Sequence, residues 1–170
     1  MTEALILLVG GLFGAVLGAY FSVLFPRAAE RRKATFDLIE RYNSSEMFVV
    51  RAVVWRVKED WDLGDYSILR FFVVSRNPSE GGLDSGICAN GLSVDQNLSW
   101  FLHFFGNLAQ YYNAGLVDKK LINIFFNQHY LTYRKFFAEF VNEFNREAGP
   151  EQPAPSWLVG LPQLEEVFEK

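Results

Sequence analysis

The chain has little of what most catalytic and metal sites are built from. Its 170 residues include one cysteine, Cys88, and two histidines, His103 and His129. A single cysteine excludes an internal disulfide and fits a reducing compartment. A metal site takes three or four convergent His, Cys or carboxylate groups, and His129 has no acidic or histidine neighbour three or four residues away. We therefore expect no metal, no cofactor and no enzymatic activity.

Positive charge is also scarce. The chain has 16 Lys and Arg against 20 Asp and Glu, a net charge of −4. Nucleic-acid binding requires a basic face, so we expect no nucleic-acid partner. Four of the sixteen basic residues are crowded together early in the chain: Arg27, Arg31, Arg32 and Lys33.

A long uncharged run precedes this basic cluster. Ala4–Phe25 has 22 residues, 13 of which are Leu, Ile, Val or Phe. As a helix it would extend about 33 Å, enough to cross a hydrocarbon core of about 30 Å. Positive residues stay on the cytoplasmic side. The sequence therefore predicts a single-pass protein of the inner (cytoplasmic) membrane, with its N-terminus outside and its C-terminal domain in the cytoplasm. The alternative is a buried core helix.

Two features of this region predict contacts. The four basic residues after the run are expected to contact the anionic head groups of the lipid bilayer. Small residues form two neighbouring rows within the run, which predicts close packing against another helix. That helix belongs to another membrane protein or to a second copy of the chain. The rows consist of Gly10, Gly14, Gly18 and Ser22, and of Gly11, Ala15 and Ala19.

The rest of the chain has helical periodicity. We predict an all-α fold, in which the N-terminal anchor (1–26) is followed by a cytosolic bundle of about five to six helices (27–148). A Pro-rich spacer and an amphipathic segment (149–170) end the chain. Tyr66–Val74 fits either a strand or a helix and is interpreted as a short helix. The other expected helices are Ala28–Tyr42, Asn43–Trp61, Ser93–Ala114, Lys119–Gln128, Tyr130–Glu147 and Ser156–Lys170.

Polar and glycine residues mark the expected helix ends. Asn43, followed by Glu46, predicts a capping box that opens a helix. Asp118 predicts another N-cap. Gly115 predicts the end of the helix before it, because a glycine commonly follows a helix end.

Aromatic residues are abundant, with 17 Phe, 7 Tyr and 4 Trp. Several of them occupy more than one face of their predicted helices, more than a small core would be expected to cover. Aromatic residues also dominate protein–protein contacts. The predicted partner surface consists of Phe104, Tyr111, Phe125, Phe126, Tyr130 and Phe136.

Two stretches resemble a bacterial family of small, often membrane-anchored helical proteins, known as domain-of-unknown-function family 4760. The first is Asn43–Trp55, which opens a helix and contains Arg51. The second is Asn97–Leu121, an aromatic helix followed by a Gly-Leu-Val-Asp turn. This chain has Gly106 where the family pattern has an acidic residue after paired phenylalanines. The resemblance implies a helical domain on an anchor and assigns no activity.

Together these features favour a non-catalytic accessory, assembly or scaffold subunit of a larger membrane protein complex. A membrane-tethered sensor or effector domain that binds a ligand or signalling partner is the alternative. Three catalytic or cofactor readings remain open from the residues alone, namely a carboxylate-dominated metal site, a Ser-His-Asp or Cys-His arrangement, and His103 as an axial haem ligand.

Overall fold

The computed structural model describes residues 27–69, 87–148 and 156–168, and for 156–159 the backbone alone. These residues contain five α-helices and no strand beyond an isolated bridge between Ile87 and Ser93. The predicted all-α class is therefore confirmed for the described residues. The helices are α1 (27–42), α2 (Ser45–Asp62), α3 (Val94–Asn113), α4 (Lys119–Ala148) and α5 (Ser156–Phe168).

Within these ranges, no helix is both long and apolar enough to cross a bilayer. The predicted transmembrane run Ala4–Phe25, with its two rows of small residues, lies outside the described residues. Most of Tyr66–Val74 lies outside them as well.

The break between α1 and α2 falls one residue later than predicted. The Asn43 N–H still donates to the Ile39 carbonyl at 3.0 Å, so Asn43 completes α1 and cannot open the next helix. Ser44 is the N-cap instead, and its hydroxyl accepts from the Met47 N–H at 3.2 Å. Glu46 therefore lies one position too early in α2 to complete the expected capping box.

The other helix ends follow the sequence signals. Ser93 and Gln96 form a full capping box at the start of α3. Gly115 ends that helix with a φ of 66°, a conformation that glycine adopts without strain. Asp118 then caps α4 by accepting from the N–H groups of Lys120 and Leu121. The two helices expected over 119–147 are one continuous helix of 30 residues.

Helix α3 has the most extensive packing among the described helices, chiefly against α5 and α2, and α4 also packs against α5 and α2. Helices α1 and α2 run in the same direction as α4, because Thr35 bonds to Asp118 near its start and Trp61 bonds to Glu139 further along. Helices α3 and α5 run in the opposite direction. Phe104 of α3 contacts Phe126, whereas the earlier Phe101 contacts Tyr133.

Aromatic rings fill the space between these helices. Trp61 lies 5.5 Å from Phe136 and 5.7 Å from Phe140, measured between ring centroids. Phe101 and Phe105 of α3 both contact Phe137. Tilted and edge-on contacts at these distances add to the gain from burying the rings.

Helix α5 crosses α3 at two glycines. A Cβ atom added to Gly160 would lie 2.6 Å from the Gly106 carbonyl oxygen and 2.8 Å from its Cα. The two backbones therefore touch at a distance that leaves no room for a side chain at Gly160. Leu161 and Leu164 flank the crossing and are buried in the core, and Asn113 donates to Gln163 at 3.0 Å.

Candidate functional site

A single arginine lies within the apolar run Met47–Trp55 of α2. Arg51 is half-buried, and its guanidinium carbon lies 4.5 Å from the ring centroid of Tyr42 on α1. The same carbon lies 5.9 Å from the ring centroid of Phe48, one turn earlier on α2. Both distances fall within the range of cation–π attraction, about 6 Å. Two aromatic rings therefore hold the guanidinium at the junction of α1 and α2.

Arg51 has no ion pair with any described residue. Two other cations of the bundle are paired. The Lys58 Nζ atom of α2 lies 2.6 Å from Asp62 Oδ2, and Arg134 Nη2 of α4 lies 3.1 Å from Glu165 Oε1. A partly desolvated charge is costly unless an opposite charge compensates it. Arg51 is therefore a cation with unused capacity to bind an anion.

The ionisable rings near Arg51 are shifted toward their neutral forms. Burial raises the pKa of Tyr42, and the positive charge of Arg51 opposes part of that rise. Burial raises the pKa of Tyr133 to about 12, with a smaller contribution from Tyr42. The His129 ring lies 4.8 Å from the Tyr42 ring, and burial followed by the Arg51 charge lowers the pKa of His129.

These shifts favour binding over proton transfer. A general acid or base works best with a pKa near the operating pH, and the pKa values of both tyrosines move away from neutrality. The Tyr42 hydroxyl is buried without a hydrogen-bond partner, as is Asn127 Oδ1. Of the four grouped side chains, Arg51 alone is charged at neutral pH.

Exposed aromatic residues stand on both sides of Arg51. Phe48 precedes it by three residues and Trp55 follows it by four, so the three share one helical face. Phe48 is 64% exposed and Trp55 is 44% exposed. The Trp55 ring lies edge-on to Tyr133 at 6.3 Å, and its indole N–H donates to Glu59 at 2.7 Å. We refer to Phe48, Arg51 and Trp55 as the aromatic–arginine face.

The predicted partner surface is only partly exposed. Phe104, Phe126, Tyr130 and Phe136 are 0–5% exposed, so the prediction that they face a partner is wrong. They are covered because α3 and α4 are packed on several sides by the other helices. Tyr111 is 41% exposed and Phe125 is 44% exposed. These two remain available at the surface, and their contact with a partner stays a prediction.

The predicted membrane-surface residues lie at the start of α1. Arg27, Arg31, Arg32 and Lys33 are all exposed. The Arg32 guanidinium lies 3.6 Å from the Asp118 carboxylate at the start of α4. Their contact with lipid head groups remains a prediction.

A second concave region lies between α4 and α5. It is a cleft of about 240 Å³ whose walls include Tyr130, Phe137 and Leu161. Arg134 and Glu165 line it and form an ion pair with each other at 3.1 Å. Because Arg134 and Glu165 already neutralise each other, the cleft is less suited than the Arg51 site to bind a charged group.

The residues that sequence analysis named as chemically notable do not converge. In the described ranges, no three His, Cys, Asp or Glu side chains are placed to hold a metal. His129 joins the Arg51 cluster, whereas His103 lies on α3 and Cys88 precedes that helix. Arg51 was not among the predicted site residues and belonged only to the stretch Asn43–Trp55 that carries the family resemblance. The sequence feature that marks Arg51 is a charged residue inside the apolar run Met47–Trp55, three residues after Phe48 and four residues before Trp55.

No protein-family model, curated protein or solved structure matches this chain. The resemblance to domain-of-unknown-function family 4760 therefore stays a prediction.

Proposed function

We propose that the chain is a non-catalytic accessory or scaffold subunit of a larger membrane protein complex. Ala4–Phe25 would anchor it in the inner membrane, with the helical domain in the cytoplasm. The aromatic–arginine face would dock the partner protein. The proposal is supported by one observation about Arg51, which is half-buried and has no carboxylate partner among the described residues. This residue lies between the exposed side chains of Phe48 and Trp55.

The chemistry of this face specifies the partner. Trp and Arg are among the residues that contribute most to protein–protein binding, particularly where neighbouring groups exclude water. The Arg51 guanidinium would pair with a carboxylate, and the rings of Phe48 and Trp55 would pack against apolar side chains beside that carboxylate. The partner is therefore a protein segment that presents an Asp or Glu between apolar residues.

Capture from native membranes tests this proposal. The full chain, solubilised in mild detergent, would carry a photo-crosslinking amino acid at position 48 or 55, and at Gln110 of α3 as a surface control. We expect one protein to be cross-linked from positions 48 and 55 but not from 110. Its carboxylate would then be identified by mapping the cross-linked peptide.

Substitution of Arg51 tests the role of the charge. Arg51→Met keeps most of the apolar stem and removes the charge, and Arg56→Met is the matched control at an exposed arginine of the same helix. Losing one partner of a desolvated charge pair costs about 2–5 kcal/mol, so Arg51→Met should weaken recovery of the partner more than tenfold. Arg56→Met should leave it unchanged. Equal recovery of the partner with both variants would refute the docking proposal.

The sensor alternative is supported by the same unpaired charge, because a small anionic ligand could also bind to the Arg51 guanidinium. It requires that the purified chain bind such an anion without any partner protein. Titration calorimetry with acetate and inorganic phosphate measures this directly. Binding that is lost in Arg51→Met and kept in Arg56→Met, without a cross-linked protein, would favour the sensor. Cross-linking of the chain to itself would instead identify a homo-oligomeric scaffold.

A further inference from the structure

Two parts of the chain that are far apart in sequence meet at one end of the bundle. The Asp118 N–H donates to the Thr35 hydroxyl at 2.8 Å, across 83 residues. The Arg32 guanidinium lies 3.6 Å from the Asp118 carboxylate, and Arg31 Nη2 lies 4.0 Å from the position of a Cβ on Gly115. The turn between α3 and α4 (114–118) is thereby held beside the basic start of α1.

This end is basic although the whole chain is acidic. Residues 27–33 and 114–120 contain six Lys or Arg and two Asp or Glu, a net charge of +4 within a chain of net charge −4. Lys119 and Lys120, the two residues that follow Asp118, are exposed at the start of α4. The structure thus adds two cations to the cluster that was evident in the sequence.

The same end exposes an apolar side chain. Leu116 lies at the tip of the turn and is 55% exposed. The positive φ of Gly115 allows the chain to reverse there. An apolar residue surrounded by cations is typical of protein surfaces that lie against an anionic bilayer.

We infer that the α3–α4 turn is a second membrane contact, in which Leu116 enters the head-group region and Lys119 and Lys120 bind anionic lipid. The inference rests on the proposed membrane placement. The occupant is an anionic bilayer because of the charge of this end and its position in the chain. Phe25, the last residue of the predicted anchor, precedes the start of the described chain at Arg27 by only two residues.

The opposite end of the molecule provides an internal control. Trp61 bonds to Glu139, which lies 21 residues beyond Asp118 along α4, about 32 Å at 1.5 Å per residue. Leu63 follows Trp61 and is 87% exposed. Residues 58–65 contain one Lys and four Asp or Glu. An exposed leucine in acidic surroundings is therefore available far from the basic end.

Depth-dependent quenching tests the inference. The full chain, in a Cys88→Ser background, would carry an environment-sensitive NBD label at Leu116→Cys or at Leu63→Cys. The two variants would be reconstituted in vesicles of phosphatidylcholine, with or without phosphatidylglycerol. With phosphatidylglycerol present, we expect blue-shifted emission at position 116 that a nitroxide near the lipid head groups quenches. Position 63 should show neither effect. Equal quenching at the two positions would overturn the inference.

Charge reversal and extraction separate this inference from the anchor. A lysine near an anionic surface contributes about fivefold to affinity, so Lys119→Glu with Lys120→Glu should abolish the quenching at 116 that depends on phosphatidylglycerol. Unchanged quenching in this variant would contradict the role given to the lysines. Release of the chain from vesicles by alkaline carbonate would refute the anchor itself. Chain that resists carbonate but remains unquenched at 116 would refute only the second contact.

Discussion

The crossing of α3 and α5 differs sharply from the junction of α1, α2 and α4. At the crossing, Gly160 lies against the Gly106 backbone and leaves no room for a Cβ. At the junction, the Tyr42 hydroxyl is buried without a hydrogen-bond partner and Arg51 lacks a carboxylate among the described residues. The crossing satisfies its own packing, whereas the junction retains one buried hydroxyl without a partner and one accessible guanidinium that another molecule can pair with. Substitutions at the crossing and at the junction should therefore change the free energy of unfolding by different amounts and in opposite directions.

The largest effect is expected at the crossing. Gly160→Val would place side-chain atoms against the Gly106 backbone, which cannot move aside as a flexible side chain can. Overpacking costs about 1–3 kcal/mol, occasionally more, and a clash with backbone atoms on one side places Gly160→Val at the upper end of that range. The thermal midpoint of the detergent-solubilised chain, followed by near-ultraviolet circular dichroism, should fall. Glu166→Val introduces the same residue at an exposed position of α5 and is the control. Equal midpoints for the two variants would mean that the glycine contact does not limit stability.

A smaller loss is expected where α1 meets the α3–α4 turn. Thr35 is fully buried, donates to the Arg31 carbonyl at 2.7 Å and accepts from the Asp118 N–H at 2.8 Å. Thr35→Val keeps the shape but leaves that N–H without its partner, which costs about 1–3 kcal/mol. Thr132→Val is the matched control, because Thr132 bonds only to its own helix at Gln128. Urea unfolding of both variants measures the difference, and an unchanged free energy for Thr35→Val would contradict the role of this bond.

The smallest effect, and one of opposite sign, is expected at the junction. Tyr42→Phe removes a buried hydroxyl that has no partner, so it should raise the free energy of unfolding by up to about 1 kcal/mol. Tyr111→Phe, at an exposed tyrosine, should have no effect. Comparison of the urea midpoints tests the sign. A loss of stability in Tyr42→Phe would show that the hydroxyl is hydrogen-bonded, and the contrast between the two regions would then fail.

Local signals in the sequence predicted the helices well. Gly115 ends α3 and Asp118 caps α4 as expected, because these residues act on backbone groups only a few positions away. Ser93, predicted as the first residue of α3, is its N-cap. The N-cap of α2 was predicted at Asn43, one residue before its position in the structure at Ser44. Both Asn43 and Ser44 are good capping residues, and the end of α1 decided between them.

Contacts between distant residues could not be predicted in the same way. Four aromatics were assigned to a partner surface because their helices appeared apolar on several sides. In the fold these sides meet different helices, as for Phe104, which contacts Tyr42 on α1 and Phe126 on α4. The Gly106–Gly160 crossing also had no local signal, since neither glycine ends a helix. Arg51 was visible as a charge within an apolar run, but its pairing with Tyr42 depended on the bend between α1 and α2.

The bonds that join α1 and α2 to α4 also set an order of events during synthesis. Thr35 and Asp118 are 83 residues apart, and Trp61 and Glu139 are 78 apart. A ribosome adds about 5–20 residues per second, so each of these two hydrogen bonds forms no sooner than about 4–16 s after its first residue is made. Throughout that interval Trp61 lacks Phe136 and Phe140, the rings of α4 that pack against it. A chaperone that shields newly made apolar helices therefore has its natural target in α2, before α4 has been translated.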